Sequence, residues 1–466
     1  MNTASIDALF QAQLTNSMAI GNRPMADRKR DLRNLKAAVL KYRGEIADAL
    51  LSDLNKPAVE TDMSEVLPVK GEIDHALRNL DEWAAKRHVS TPLTLVGTRA
   101  WVKPEPKGVV LIISPWNFPF NLTFGPLASA LAAGNCVVLK PSEATPASAG
   151  LMEKIISETF SSDHVCVVNG GPEVSSHLVS LPFHHIFFTG GAEIGKKVLR
   201  AAAEHLTPVT LELGGKSPAV VDRSANIEDA VSRILWARFF NSGQVCISPD
   251  YVLIDESVAE VFIRAAKEKI TQFYGDPMAN EALSTLVNER HFAKITGMID
   301  DAIAKGAKLE AGGRRDAARN FVEPTLLSGV DFSMEVMKDE IFGPILPIIT
   351  WKTTDDALRI VNGIERPLAY YVFSKNAGST RRFLTESRAG TTAINETFIQ
   401  FIHPELPFGG VNFSGMGKAH GKYGFDTFSN ERSYVKQVFR RNAPVLTHPP
   451  YTSFTRKLAD VLIRWF

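Results

Sequence analysis

The sequence has little cysteine and almost no net charge. Only three of its 466 residues are cysteine, and 52 lysines and arginines face 51 aspartates and glutamates, which gives a net charge of +1. Three widely spaced cysteines form neither a disulfide framework nor a zinc pattern, and they suit a reducing compartment. A charge so close to zero provides no field that would recruit nucleic acid. We therefore expect no nucleic-acid partner and no structural metal.

The chain also lacks a secretory signal and a convincing membrane span. Residues 1–24 show no basic segment followed by an apolar one. Residues 108–139 carry no charge and are numerous enough to cross a bilayer, but Pro115, Pro119 and Pro126 interrupt them. Buried strands joined by a loop and a short helix explain this stretch better. We expect a cytoplasmic protein.

Apolar spacing predicts two long helices near the N-terminus and then a hairpin. The helical pattern covers Asp27–Leu54 and Glu65–Lys86. From Thr91 to Lys103, apolar and polar residues alternate around Gly97, which is typical of a β-hairpin. Such a ribbon, set between helical and α/β segments, often serves as an arm for association.

Short apolar strands then alternate with helices. The first four predicted strands are Val109–Ile113, Cys136–Leu139, Val165–Val168 and Ile186–Phe188. A second unit begins after Gly215 with a strand at Pro218–Val221 and a helix at Ile227–Phe239. This alternation predicts an α/β protein with doubly wound parallel sheets, whose ligands lie beyond the carboxyl ends of the strands.

Two strand ends have residues suited to a nucleotide. Residues 189–195 join a strand to a helix, and glycines at Gly190, Gly191 and Gly195 let a phosphate approach N–H groups at the helix start. The spacing is not Gly-x-Gly-x-x-Gly, so an ordinary tight turn is the alternative. Lys140 and Glu143 end another strand and could hold the two ribose hydroxyls; a solvated pair at a helix start is the alternative.

Three further residues could carry chemistry. Cys246 follows a helical pattern that ends at Gly243, which makes it a candidate nucleophile or an inert thiol. Glu212 lies between two leucines, where its pKa would rise and suit a general base, unless it pairs with Lys216 or another cation. Asn117 follows the first strand and could donate to an oxyanion, or simply occupy a turn.

The remaining cysteines and a histidine pair have simpler interpretations. Cys136 and Cys166 lie within apolar strand runs and are predicted to be core thiols. His184 and His185 invite a metal interpretation, but no further ligands stand at suitable spacing.

Seven segments together resemble the aldehyde dehydrogenase family, in family order and over roughly residues 32–433. The segments are Pro115–Pro119, Lys140–Glu143, Phe188–Gly195, Leu211–Lys216, Gly243–Cys246, Glu340–Pro344 and Pro407–Gly410. Residues 117–123, residues 247–251 and the short N-terminus are similar to the class 3 branch, which includes fatty, aromatic and coniferyl aldehyde dehydrogenases. Asn412 departs from the family, which usually has glycine there, so the backbone of that loop is expected to differ.

The resemblance implies a site and a cofactor. Cys246 would attack the aldehyde, Asn117 and the Cys246 N–H would hold the oxyanion, and Glu212 would activate water. The implied cofactor is NAD, with NADP as the alternative. The residues that the resemblance places in contact with this cofactor are Trp116, Lys140, Glu143, Gly190, Gly191, Gly195, Leu213, Glu340 and Phe342. Reduction of an acyl group on the same scaffold, or a catalytically silent binding protein, are the rival functions.

The resemblance also implies an organisation and a substrate. Residues 1–80 and 105–211 would bind NAD, residues 212–410 would form the catalytic domain, and residues 81–104 and 411–440 would be a β-ribbon that bridges two copies in a homodimer. Aromatic residues expected around an apolar substrate tunnel are Phe118, Trp236, Phe398 and Phe401.

Residues 441–466 form a predicted amphipathic tail. We expect it to pack on the body or on a partner subunit. Peripheral membrane contact is a less favoured alternative, since basic amphipathic helices favour membrane surfaces.

Overall fold

A computed structural model describes residues 2–280, 283–439, 445 and 448–465 of the chain. Residues 441–444, 446–447 and 466 of the predicted tail lie outside this range. The fold is α/β, with two largely parallel sheets and a three-stranded antiparallel ribbon. Within the described ranges, every helix is too short or too polar to cross a bilayer.

The N-terminal third is helical and leads into the ribbon. Its elements are α1 (Thr3–Gly21), α2 (Met25–Lys41), α3 (Arg43–Leu54), α4 (Ala58–Thr61), α5 (Leu67–Trp83), β1 (Arg87–Val89) and β2 (Thr98–Pro106). A π-helical turn, Asp62–Val66, joins α4 to α5.

One helix of this region was missed, and two predictions need correction. Helix α1 was not predicted, because its buried face has few apolar residues and also includes the polar residue Gln13. The helix predicted over Asp27–Leu54 is broken at Tyr42, whose side chain is buried and donates to the Glu158 carboxylate at 2.5 Å. The hairpin exists, but its first strand is Arg87–Val89, and Leu93–Leu95 form a 3₁₀ turn.

The first sheet continues the chain. Its elements are β3 (Val109–Ile113), α6 (Asn121–Ala133), β4 (Cys136–Lys140), α7 (Pro146–Thr159), β5 (Val165–Val167), α8 (Pro172–Val179), β6 (His185–Thr189), α9 (Ala192–Ala203) and β7 (Val209–Glu212). The parallel order is β7-β6-β3-β4-β5. Both faces of the sheet are covered, which explains why β3, β4 and β6 are buried throughout.

The next segment of the chain contains the second sheet, the helices around it and a separate two-stranded pair, β11 and β12. Its elements are β8 (Pro218–Val221), α10 (Ile227–Phe239), β9 (Tyr251–Asp255), α11 (Glu256–Tyr274), α12 (Glu289–Ala304), β10 (Lys308–Ala311), β11 (Arg315–Asp316), β12 (Phe321–Val322), β13 (Thr325–Ser328), β14 (Ile345–Trp351), α13 (Thr354–Asn362), β15 (Ala369–Phe373), α14 (Ala377–Thr385), β16 (Thr391–Ile394) and α15 (Ile399–Ile402). The order is β10-β13-β14-β9-β8-β15-β16, and β10 alone of these runs antiparallel to its neighbour.

The C-terminal elements return to both earlier units. They are β17 (Gly415–Met416), α16 (Gly421–Thr427), β18 (Ser429–Gln437) and α17 (Ser453–Trp465). Strand β17 adds an antiparallel edge to β7, with Gly415 opposite Glu212. Strand β18 pairs with β2 from Ser429 to Gln437, which completes the ribbon β1-β2-β18.

Helix α17 fully buries none of its described side chains, although Leu458, Ala459 and Leu462 are partly buried. Ile463 is 84% exposed and Trp465 is 73% exposed. The expectation that the tail packs on the body or on a partner subunit therefore stays a prediction. A membrane surface is the alternative that stays open.

Because no described side chain of α17 is fully buried, we predict that deleting residues 452–466 leaves the thermal unfolding midpoint of the protein unchanged. Differential scanning calorimetry at low protein concentration measures this. A fall of several degrees would show that the tail packs in the folded state and would contradict the prediction.

Candidate active site

The segment between α10 and β9 forms a strained loop around Cys246. Asn241 and Ser242 both have left-handed backbone angles, with φ of 50° and 51°. Gly243 has φ of 71°, and a Cβ there would lie 2.3 Å from the Gly343 carbonyl oxygen, so only glycine fits. Such backbone strain persists only where surrounding contacts impose it, and it clusters at functional sites. Cys246 follows this turn and is partly exposed, unlike Cys136 and Cys166, which are buried.

Gln244 fastens this loop to its surroundings. Its side-chain amide donates to the carbonyls of Asn241 and Thr285, both at 3.1 Å, and its side-chain oxygen accepts from Val287 N–H at 3.1 Å. Every polar group of this amide therefore has a partner, and the loop is held in one conformation.

Asn117 joins the end of β3 to the same loop. Its side-chain amide donates to the Gln244 carbonyl at 2.9 Å, and its own carbonyl accepts from the Asn241 side chain at 3.0 Å. An amide carries two N–H donors, so one is used here and a second is available for substrate. The structure thus brings together Asn117 and the Cys246 loop, which the sequence separates by more than a hundred residues.

Glu212 ends β7 and its side chain is buried. Its main-chain carbonyl accepts from Gly190 N–H at 3.0 Å, and its Oε1 atom has no hydrogen-bond partner among the described residues. Pairing with Lys216 is excluded, because the Lys216 ammonium lies 2.6 Å from Asp250 instead. Burial raises the pKa of Glu212 to about 8, and the positive charge of Lys418 partly opposes this increase.

The Cys246 thiol lies within the electrostatic reach of two carboxylates. Burial raises the pKa of Cys246 well above its ordinary value, and the negative charges of Glu340 and Glu212 raise it further. The thiol is therefore protonated at rest, and formation of the thiolate requires a base.

The connection from β6 to α9 is suited to a phosphate. Gly191 caps α9 without a side-chain acceptor, and the position where a Cβ would stand has no atom within 4 Å. A Cβ at Gly195 would lie 2.9 Å from Leu213, so glycine there lets the helix approach β7 closely. The open N-terminus of a helix attracts anions, so this end of α9 fits a dinucleotide phosphate.

Lys140 and Glu143 lie together at the carboxyl end of β4. The Lys140 ammonium is buried, donates to the Pro141 carbonyl at 2.7 Å and lies 3.5 Å from the Glu143 carboxylate. The Glu143 side chain is about half exposed. The two side chains pair, but Lys140 is buried, so the pair is not the solvated one given as the alternative, and the exposed Glu143 carboxylate stays accessible.

Glu340 and Phe342 form another wall of the candidate site, beside Gly214 and Trp116. A Cβ on Gly214 would lie 2.0 Å from the Glu340 carboxylate, so that carboxylate rests directly on the backbone after Glu212. Burial, with a contribution from Asp250, raises the pKa of Glu340 to about 8. Phe342 has φ of 57°, and its ring packs edge-on against Trp116 at 5.3 Å.

His291 belongs to this wall and was not identified from the sequence. Its ring packs 5.7 Å from Trp116, and its Nε2 atom lies 2.7 Å from the Phe342 carbonyl. Burial lowers the pKa of His291 to about 4, so the ring is neutral. It stands on the first turn of α12, and no motif surrounds it that could have indicated this role.

Aromatic rings line the approach to the Cys246 loop. Trp236 packs against Phe398 at 5.3 Å and against Phe240 at 5.7 Å, and Phe240 also stacks on Phe118 at 6.4 Å. Phe240 was missed from the sequence, although it stands within the Cys246 segment. Phe401 N–H donates to the Phe398 carbonyl at 2.9 Å, and the Phe401 ring packs on Phe408 at 4.8 Å.

The loop after Phe408 closes over Glu212. The Lys418 ammonium donates to the carbonyls of Gly409 and Gly410. Asn412 has φ of 55°, a region that asparagine tolerates better than most residues, and its side chain accepts from Arg366 at 2.5 Å. Asparagine thus occupies a backbone conformation that otherwise favours glycine.

The histidine pair has structural partners. His184 Nδ1 accepts from Val109 N–H at 2.9 Å, and His185 Nδ1 lies 3.0 Å from the Lys107 ammonium. Across the part of the chain that the structure describes, no group of three His, Cys, Asp or Glu side chains is placed to hold a metal ion.

Comparison with known proteins agrees with this geometry. The model of the aldehyde dehydrogenase family matches residues 1–434. A 4,4'-diaponeurosporen-aldehyde dehydrogenase of Staphylococcus aureus is 41% identical over 95% of this chain and 95% of its own length. Aldehyde dehydrogenase family 3 member A2 of Pongo abelii is 40% identical over 92% of this chain and 88% of its own. A solved structure of the substrate-bound state of Staphylococcus aureus AldH superposes with a TM-score of 0.94 at 39% identity, covering 98% of this chain and 99% of that one.

The chain therefore belongs to the aldehyde dehydrogenase family. Its similarity to family 3 members supports the class 3-like branch. It is an NAD(P)-dependent enzyme that oxidises aldehydes, and related solved structures hold NAD+ in one case and NADP in another.

The buried position of Glu212 predicts a pH dependence. The hydrolytic step needs the deprotonated carboxylate, so its rate should rise with pH and reach half its maximum near pH 8, the pKa of Glu212. Replacing Lys418 with methionine removes the nearby positive charge and should move this midpoint to higher pH. Single-turnover hydrolysis of the acyl-enzyme, followed from pH 6 to 10, measures both. A midpoint unmoved by Lys418→Met would show that Lys418 does not influence the base.

Proposed function

We propose that this enzyme oxidises an apolar aldehyde to the carboxylic acid through a covalent intermediate on Cys246. The observation that carries this proposal is the convergence of three groups: a partly exposed cysteine, an amide with a spare donor and a buried carboxylate whose Oε1 atom has no hydrogen-bond partner among the described residues. These are the nucleophile, the oxyanion donor and the base that aldehyde oxidation requires.

In the acylation steps, the Cys246 thiol loses its proton to solvent water and its sulfur bonds to the aldehyde carbon as the carbon–oxygen π bond breaks. The carbonyl oxygen becomes an oxyanion, which the free N–H of Asn117 and the Cys246 main-chain N–H stabilise. The oxyanion then re-forms the carbonyl, the carbon loses a hydride, and a thioester to Cys246 remains. The nicotinamide of the bound cofactor supplies the hydride acceptor.

In the deacylation steps, Glu212 takes a proton from water and the resulting hydroxide adds to the thioester carbon. The carbon–sulfur bond breaks, Cys246 leaves as a thiolate, and the carboxylic acid is released. The absence of a hydrogen-bond partner at Glu212 Oε1 supports this role, because an unpaired buried oxygen can accept a proton from water.

For the cofactor, we propose NAD rather than NADP. The phosphates would lie at the N-terminus of α9, beside Gly190, Gly191 and Gly195, and the nicotinamide ribose would contact Glu340. The adenosine ribose would contact Lys140 and Glu143, where the carboxylate repels a 2′-phosphate. Trp116, Leu213 and Phe342 would provide the apolar contacts.

The substrate is proposed to be a large apolar aldehyde. The cluster of Phe118, Trp236, Phe240 and Phe398 supports this, as does the Staphylococcus aureus relative, which is named for 4,4'-diaponeurosporen-aldehyde. An acyl-group reductase is the rival function, and Glu212 argues against it because that reaction has no use for activated water. A silent binding protein does not explain why the chain retains all three chemical groups.

We further propose that the units divide as residues 1–80 and 105–211 for the cofactor and 212–410 for catalysis, with 81–104 and 411–440 as the bridging ribbon. The exposed edge of β18, where Val435 is 70% exposed, supports a homodimer built through this ribbon. The balanced charge and scarce cysteine support a cytoplasmic location. For α17 we favour a partner subunit over a membrane surface.

The covalent mechanism predicts different results for two substitutions. Cys246→Ser should abolish aldehyde-dependent NADH formation, because a hydroxyl is a much weaker nucleophile than a thiolate. Glu212→Gln should still release one NADH per active site in a burst and then turn over slowly, because only hydrolysis needs the base. Stopped-flow absorbance of NADH measures both.

The matched control is Cys166→Ala, which removes a buried thiol in the first sheet and should leave the burst intact. A Cys246→Ser variant with near-normal NADH formation would rule out the nucleophile assignment. A Glu212→Gln variant without a burst would assign an earlier step to this carboxylate.

A further inference from the structure

A buried lysine lies directly behind the oxyanion site. Lys56 follows the C-terminal residue of α3, and its side chain is fully buried, as is that of Glu65. The Lys56 ammonium lies 2.8 Å from the Glu65 carboxylate. Transfer of two charges from water to the protein interior is costly, so such a pair needs further partners to be retained.

The additional partners of Lys56 belong to the loop that carries Asn117. The ammonium donates to the Asn117 carbonyl at 3.2 Å and lies 4.1 Å from the centre of the Phe118 ring. The ammonium therefore contacts Glu65 and two consecutive residues of the predicted oxyanion site, and its positive charge partly opposes the burial that raises the pKa of Glu60.

Glu65 holds the other end of the same loop. Its second carboxylate oxygen accepts from Asn121 N–H at 2.8 Å, where α6 begins and a negative charge is favourable. Glu65 stands on the π-helical turn Asp62–Val66, a distortion that often occurs at functional sites. The Lys56–Glu65 pair thus fixes the segment from Asn117 to Asn121 at both ends.

The same carbonyl links the pair to the nucleophile loop. The Asn117 oxygen accepts from both Lys56 and the Asn241 side chain, and Asn241 N–H donates to the Glu60 carboxylate at 3.1 Å. The segment from Lys56 to Glu65 therefore contacts both the Asn117 loop and the loop that carries Cys246.

We propose that Lys56, held by Glu65, is a positioning residue for aldehyde oxidation: it fixes the Asn117 main chain so that the Asn117 amide points at the oxyanion. This inference rests on the proposed roles of Asn117 and Cys246. Lys56 acts through Asn117 and does not contact the substrate itself.

The test uses the full-length enzyme with Lys56→Met and Glu65→Met combined. Replacing both partners removes the ion pair without leaving either of its two charges unpaired, so the double variant should fold. Its rate of NADH formation in the burst should fall about 10- to 100-fold, the effect of a displacement of roughly 1 Å at a reacting group. Its affinity for NAD, measured by titration, should be unchanged. Lys36→Met, which removes a partly exposed ion pair to Asp74, is the control and should keep the normal burst rate.

A thermodynamic cycle with Asn117→Ala separates positioning from general stability. If Lys56 acts through Asn117, the double substitution should cause no further loss of rate in the Asn117→Ala background. An equal loss in both backgrounds, or a normal burst rate in the folded double variant, would overturn the proposal.

If the double variant fails to fold, Lys56→Gln combined with Glu65→Gln gives the same test, because it removes both charges and keeps hydrogen-bonding groups at both positions. Its burst rate should fall in the native background and stay constant in the Asn117→Ala background. Failure of this inference is distinguishable from failure of the proposed function, because the proposed function is tested by activity in Cys246→Ser, which leaves Lys56 and Glu65 in place.

Discussion

The contact between Asn117 and the Cys246 loop is the interaction on which the rest of the site depends. The main-chain carbonyl of Asn117 accepts from the side chains of both Lys56 and Asn241, and the side-chain amide of Asn117 donates to the Gln244 carbonyl. Asn117 ends a strand of the first sheet, and the loop precedes a strand of the second. These hydrogen bonds therefore set the distance between the oxyanion donor and the nucleophile across the two sheets.

Burial at this junction decides the chemistry of the titrating groups. It raises the pKa values of Glu212 and Glu340 to about 8 and raises that of Cys246. A thiol and a carboxylate are then both neutral at rest near pH 7, so neither carries an uncompensated charge in the apolar site. We therefore expect activity to increase as pH rises through 8.

The buried strands of the fold were predictable from the sequence, because continuous runs of apolar residues determine them. Strands such as Val109–Ile113 and Pro218–Val221 are continuous apolar runs and form where they were predicted. Helix α1 was missed because it buries Gln13, whose amide donates to the Val137 carbonyl in the core. His291 and Phe240 were missed because their place in the site depends on contacts between distant segments, to which local periodicity is blind.

The central claim is that the acyl group is carried by Cys246. The direct measurement is peptide mapping by mass spectrometry of the Glu212→Gln enzyme, quenched with acid after one turnover with NAD and an apolar aldehyde. The account predicts that the acyl mass is found on the peptide containing Cys246 and is absent from those containing Cys136 and Cys166. An unmodified Cys246 peptide, recovered after a full burst of NADH, would contradict it.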